Sequence, residues 1–228
     1  MQDRIYIARF GEGIEAYEAL LCPELKEKCN RIKHQIKRRA GMAAALLFQY
    51  AVARQYEAEQ CEIAQFKTEA NAPEFEEVDF ANVIEYLKIH DLKLPKIHYG
   101  PKGKPYVKEN RWNGKPFYYN LSHSGNLVAC VISDAEVGID VQECKDIDFL
   151  QMARKYYAPE EVSFMVLCPQ YEGKREFYRL WTRKEAYGKM TGEGVAGYLG
   201  KAVPDDVVIK EIDRYPEYCI CICKDIEK

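Results

Sequence analysis

Phe117-Tyr-Tyr-Asn-Leu121, Leu127-Val-Ala-Cys-Val-Ile-Ser133 and Val137-Gly-Ile-Asp-Val-Gln142 follow one another with turn residues between them. Each is a short run of aromatic, β-branched or small apolar residues bounded by Gly, Asn, Ser or Asp, so the stretch predicts three successive strands. In the third, Ile139 and Val141 point to one side and Asp140 and Gln142 to the other. Gly138 leaves room for a neighbouring group to come close. The bland reading is an ordinary strand edge with polar residues facing solvent.

Outward from this stretch the pattern alternates between strands and helices. Ile5–Ala8 opens the chain as a short strand. Pro23 to about Tyr56 is helical, with Leu46, Leu47, Tyr50, Ala51 and Arg54 forming an apolar stripe with a charged back, and Gly41 marks a break or a close packing point. Asn71–Glu77 reads as an acidic surface loop, and Tyr99-Gly-Pro-Lys-Gly-Lys-Pro-Tyr106 as a turn. Asn110–Lys115 is polar and turn-like, which divides the chain into an N-terminal lobe, 1–111, and a C-terminal lobe, 112–228. Beyond the three strands, Pro159-Glu-Glu begins a helix, with acids near the positive dipole end. Glu172 to about Met190 is a long helix, and Val207–Ile212 with Tyr218–Cys223 close the chain as a hairpin-like pair. The expected fold is therefore α+β in two similar lobes.

At 228 residues, with 47% hydrophobic and 30% charged residues, the chain has the composition of a globular protein with a real core. A net charge of −3 gives no whole-molecule attraction to nucleic acid or an anionic membrane. Met-Gln-Asp-Arg-Ile-Tyr-Ile lacks the basic-then-apolar order of a secretory signal, and the apolar run around Met42–Phe48 is too short to span a bilayer. Nine cysteines, an odd count, argue for reduced thiols and a cytoplasmic protein rather than a disulfide framework. Cys219, Cys221 and Cys223 alternate along one strand and so share a face, where thiols pack as small hydrophobes.

Chemistry concentrates in a few places. On the long helix Trp181, Glu185 and Lys189 recur at steps of four and share a face, with Lys184 beside Glu185. A strand carboxylate (Asp140), a helix carboxylate (Glu185) and a lysine one turn on suit a divalent cation held against a phosphate. An i,i+4 Glu–Lys pair on a solvated face is the plainer alternative. Asn120-Leu-Ser-His-Ser-Gly125 offers a hydroxyl, an imidazole and a turn. Ser122 and His123 are adjacent on a strand and leave it on opposite faces, which disfavours a nucleophile–base pair but suits a phosphate. The run Lys26, Lys28, Arg31, Lys33, Lys37, Arg38, Arg39 is a solvated face or a nucleic-acid patch, with one or two members available to a ligand phosphate.

The ordered set Gly-Lys-Pro (103–105), Asn-Leu-Ser-His-Ser (120–124), Gly-Ile-Asp-Val-Gln (138–142) and Trp-x-x-Lys-Glu-Ala with a following Lys (181–189) resembles the surfactin-synthetase-activating type of 4′-phosphopantetheinyl transferase. Pro23-Glu-Leu-Lys-Glu-Lys-Cys and Arg54-Gln-Tyr extend the likeness into the N-terminal half. The resemblance implies two α+β lobes related by a pseudo-twofold, with coenzyme A bound between them. It implies Mg²⁺-dependent transfer of the phosphopantetheine arm to a serine of an apo acyl or peptidyl carrier protein, releasing 3′,5′-ADP. By motif, Asp140 and Glu185 would ligate Mg²⁺, Glu185 would also serve or align the base, and Lys189 would meet the pyrophosphate. Ser122, His123, Lys104 and Lys28 would hold the nucleotide phosphates, chiefly the 3′-phosphate; Lys104 fits the family spacing better than Lys115. Gln142 departs from the pattern, because many relatives carry Glu there as a third ligand. Its amide oxygen can still coordinate or hold a water, but adds no charge. Gly41 falls where some relatives place a hydroxyl residue. A monomer is implied, with neither nucleic acid nor membrane as partner.

Overall fold

The computed structural model describes residues 3–63, 75–90, 94–107 and 117–226. Two compact units divide the chain, one made of Met1–His98 and Pro105–Asp134, the other of Tyr99–Lys104 and Ala135–Lys228. The main division thus falls at Asp134/Ala135 and not at 111/112. The reason is strand pairing: the strands at 117–124 and 127–133 hydrogen-bond with the N-terminal strand and so belong to the first unit. Asn110–Lys115 lies outside the described residues.

In the first unit, β1 (Arg4–Arg9) is followed by a 3₁₀ segment (Ile14–Leu20), α1 (Pro23–Asn30), α2 (Gln35–Ile63), β2 (Phe75–Asp79) and α3 (Phe80–Ile89). β3 (Ile97–Tyr99), β4 (Pro105–Val107), β5 (Phe117–Ser124) and β6 (Leu127–Ser133) complete a sheet of order β2-β1-β6-β5-β4-β3. The expected acidic loop at 71–77 is a strand from Phe75 on, drawn into parallel pairing with β1; 71–74 lie outside the described residues.

Gly41 breaks nothing. It lies inside α2, and a Cβ there would meet Ile32 Cδ1 at 3.1 Å, so it is a close packing point. The helical break falls instead at Arg31–His34. Nor does α2 have a charged back over Met42–Ala53, where every residue is buried. Five alanines in that run keep the helix slim enough to be covered all round. Phe48 stacks on Tyr119 of β5 with ring centroids 4.2 Å apart, tying the helix to the sheet.

The second unit holds β7 (Val137–Glu143), α4 (Phe149–Tyr156), α5 (Pro159–Leu167), α6 (Gln170–Thr191), β8 (Val207–Glu211) and β9 (Tyr218–Asp225). Its sheet has order β7-β9-β8, antiparallel throughout. Gly138, Asp140 and Gln142 of β7 pair in register with Cys223, Cys221 and Cys219 of β9, so all six share one face. That face is covered by α6. A Cβ on Gly138 would lie 2.0 Å from Ala186 O and 2.5 Å from Met190 N, so only glycine admits the helix backbone this close. The small thiols of Cys221 and Cys223 pack with Ala186 and Met190 as the hydrophobes their spacing predicts. α6 ends at Gly192, whose φ of 72° supplies the left-handed cap. Among the described residues no helix is long and apolar enough to cross a membrane.

Candidate functional site

The close approach of α6 to β7 turns two ordinary sequence positions into one site. Asp140 is 3% exposed on a face that the bland reading would have left in solvent. Lys189 Nζ donates to Asp140 Oδ1 at 2.7 Å and to Ile139 O at 3.0 Å. Gln142 Nε2 donates to Asp140 Oδ2 at 2.8 Å. Both oxygens of a buried carboxylate thus accept hydrogen bonds, as burial of a charge requires. Lys189 reaches across to the strand, beyond a simple surface pair along its own helix.

Glu185 is half-buried one turn before Lys189. Burial pushes its carboxyl above the usual range, the negative charge of Asp140 pushes it further, and Lys189 partly offsets both. A half-buried carboxylate beside the charge of Asp140 is an environment that favours uptake of a cation. Asp140, Glu185 and the Gln142 amide oxygen form an all-oxygen donor set, the chemistry Mg²⁺ prefers when waters and phosphate oxygens fill the remaining positions. Among the described residues no group of three or more His, Cys, Asp or Glu side chains is arranged for a metal. The residues here fit a two-carboxylate site completed by an amide.

Lys184, next to Glu185 in sequence, goes elsewhere. It is fully buried, donates to Glu161 Oε1 at 2.9 Å and to Lys201 O, and lies 5.3 Å from the Tyr157 ring centroid. Glu161 also accepts from Ala158 N at 2.9 Å at the start of α5. This ion pair fastens α5 to α6.

Lys104 sits in the 99–104 turn, where Gly103 takes φ 78°. Its Nζ donates to the Glu136 carboxylate and to Met190 O in the last turn of α6. Burial lowers its pKa, with Glu136 acting against the shift. Glu136 has no signal in a single sequence, because its partner is 32 residues away.

The first unit carries the other predicted residues. β5 runs through Ser124 instead of ending before the Ser-His pair, and Gly125 (φ 54°) and Asn126 make the turn into β6. Ser122 is buried and His123 exposed, on the opposite faces that strand alternation requires. Lys28 is exposed in the last turn of α1. The basic run around it is largely committed within the unit. Lys26 and Arg38 pair with Glu18 at 3.5 and 2.8 Å, Arg31 with Glu27 at 2.5 Å, and Arg39 with Glu15 at 3.2 Å.

Residues 136–214 match the sequence profile of a family described as the 4′-phosphopantetheinyl transferase superfamily. That segment contains Asp140, Gln142, Glu185 and Lys189. The chain is 39% identical over 97 residues to the 4′-phosphopantetheinyl transferase psf-1 of Bacillus pumilus, an alignment covering 40% of this chain and 41% of that protein. It is 36% identical over 113 residues to the 4′-phosphopantetheinyl transferase gsp of Aneurinibacillus migulanus, covering 45% and 47% of the two. In these alignments the chain spans about half the length of its relatives or less. A longer alignment, at 25% identity, joins 93% of the chain to 85% of the 4′-phosphopantetheinyl transferase Sfp of Bacillus subtilis.

Proposed function

The chain belongs to the 4′-phosphopantetheinyl transferase superfamily, and from that premise we propose that it transfers the phosphopantetheine arm of coenzyme A to a serine of an apo acyl or peptidyl carrier protein. The serine Oγ forms a bond to the β-phosphorus of the coenzyme A pyrophosphate. The bond from that phosphorus to the bridging oxygen breaks, and 3′,5′-ADP leaves with the charge.

The observation that carries the reading is the β7–α6 cluster. Glu185 takes the serine proton, and the environment that raises its pKa makes it the stronger base. Lys189, held by Asp140 and Ile139 O, offers a positive charge to the pyrophosphate. Asp140 and Glu185 would hold Mg²⁺, with Gln142 contributing its amide oxygen directly or through a water; the ion supplies neutralisation of the pyrophosphate charge. The motifs support Ser122, His123 and Lys28 as nucleotide-phosphate contacts. Lys104 would join them only by exchanging Glu136 for a phosphate. The cysteines support a reducing, cytoplasmic setting, and the family likeness a monomer.

The test is incubation of the protein with coenzyme A, Mg²⁺ and an apo carrier, followed by mass analysis. The carrier is expected to gain one phosphopantetheine arm, and 3′,5′-ADP to appear in equal amount. An unmodified carrier across a panel of acyl and peptidyl carriers would overturn the reading.

A further inference from the structure

One residue past the end of β7, Cys144 continues the alternation that carries Gly138, Asp140 and Gln142. Its Sγ lies 3.5 Å from Sγ of Cys219 on β9. Cys219 is the register partner of Gln142, so the two thiols form a diagonal cross-strand pair at the end of the ladder. The backbones that carry them are already fixed, since Cys144 N donates to Glu217 O at 2.7 Å just beyond the last paired residues. Cys144 is half-buried and open to a small reagent, whereas Cys219 is buried behind it. A sulfur reached first and a second sulfur already touching it is the arrangement of an attacked thiol and its resolving partner.

We propose that Cys144 and Cys219 are an oxidation site that closes reversibly into a disulfide joining the ends of β7 and β9. The oxidant is hydrogen peroxide. Cys144 Sγ takes one peroxide oxygen to become a sulfenic acid, and one water leaves. Cys219 Sγ then attacks the Cys144 sulfur, its proton and the sulfenic hydroxyl depart as a second water, and the S–S bond forms. Two thiols are oxidised and one peroxide is reduced to two waters. The sulfurs must approach from contact distance to about 2.0 Å. Closing the bond would cost one long thiol contact, Cys219 Sγ to Arg175 O at 3.8 Å. Cys221 and Cys223 share the same face but follow each other along one strand. The Cys221 thiol also hydrogen-bonds that of Cys223, but both are fully buried, so neither sulfur is open to the oxidant. The disulfide would lock the β7 end two residues from Gln142, in register with the strand of Asp140. The proposal does not depend on the transfer activity.

The experiment treats the full chain with hydrogen peroxide, blocks remaining thiols, and measures intact mass and linked peptides after pepsin digestion at low pH. A loss of two hydrogens with a Cys144–Cys219 linkage, reversed by dithiothreitol, is expected. Cys144→Ser and Cys219→Ser should each abolish it, and Cys221→Ser should leave it in place. Peptide mapping of the unmodified chain decides the matter even where a variant folds poorly. Absence of the linkage, oxidation of Cys144 to the sulfinic acid without bridging, or a bridge between other thiols would overturn the proposal.

Discussion

α2 and α6 are the long helices of their units, and they are buried by opposite means. From Met42 to Ala53, α2 hides alanines, leucines, Phe48 and Tyr50, with Gln49 the one strongly polar member; its amide bonds Leu20 O at 2.8 Å and receives Cys22 N at 2.7 Å. α6 hides Thr182 and Lys184 completely and half-hides Glu185 and Lys189. Apolar burial stabilises a helix with no demand on neighbours beyond shape. Burying charge demands a named partner for each group, and α6 finds its partners on α5, β7 and the 201 segment. The lesson is sharpest between its two lysines, five positions apart. Lys184 is paired inward to Glu161 and serves the fold; Lys189 is paired toward Asp140, where the proposed chemistry would use it.

The comparison can be broken most forcefully at Lys184. Truncation to Ala leaves the nearly buried Glu161 carboxylate without its lysine and should cost about 3–5 kcal/mol of stability by urea denaturation. A loss no larger than that of an exposed pair would mean the pair is not buried in solution. Leu46→Ala probes the apolar counterpart and should cost about 2–5 kcal/mol, with the unfolding midpoint lowered. Arg31→Ala removes an i,i+4 pair whose partners are both well exposed, and should change stability by no more than about 0.5 kcal/mol.

Glu185 gives the comparison a pH axis. Its folded-state pKa lies above its unfolded value, so the folded chain binds a proton more tightly. Its contribution to stability is therefore present at low pH and is lost as pH rises from the unfolded pKa through the raised folded one. In the metal-free protein, wild type should lose stability relative to Glu185→Gln across that window, as followed by thermal unfolding in a pH series. A difference between the two that does not change with pH would contradict the shift.

Much of the site was legible because local periodicity carries it. Period two put Gly138, Asp140 and Gln142 on one face, and steps of four put Trp181, Glu185 and Lys189 on another. What periodicity cannot give is what covers a face. The partners of Lys184 and Lys104 are 23 and 32 residues away in sequence, and nothing local in the chain announces them. The lobe boundary was misread for the same reason: β6 belongs with β1 through pairing over more than a hundred residues, such as Ile5 with Val131. Gly41 signals a break in any helical pattern, yet here the helix continues and the glycine serves the approach of Ile32.

The most direct test of the central claim is Glu185→Gln assayed for phosphopantetheine transfer beside its own thermal unfolding curve. The account predicts a fold at least as stable as wild type at neutral pH in the absence of metal, with transfer reduced by about 10²-fold or more. Transfer within a few-fold of wild type, from a protein that is equally well folded, would contradict it.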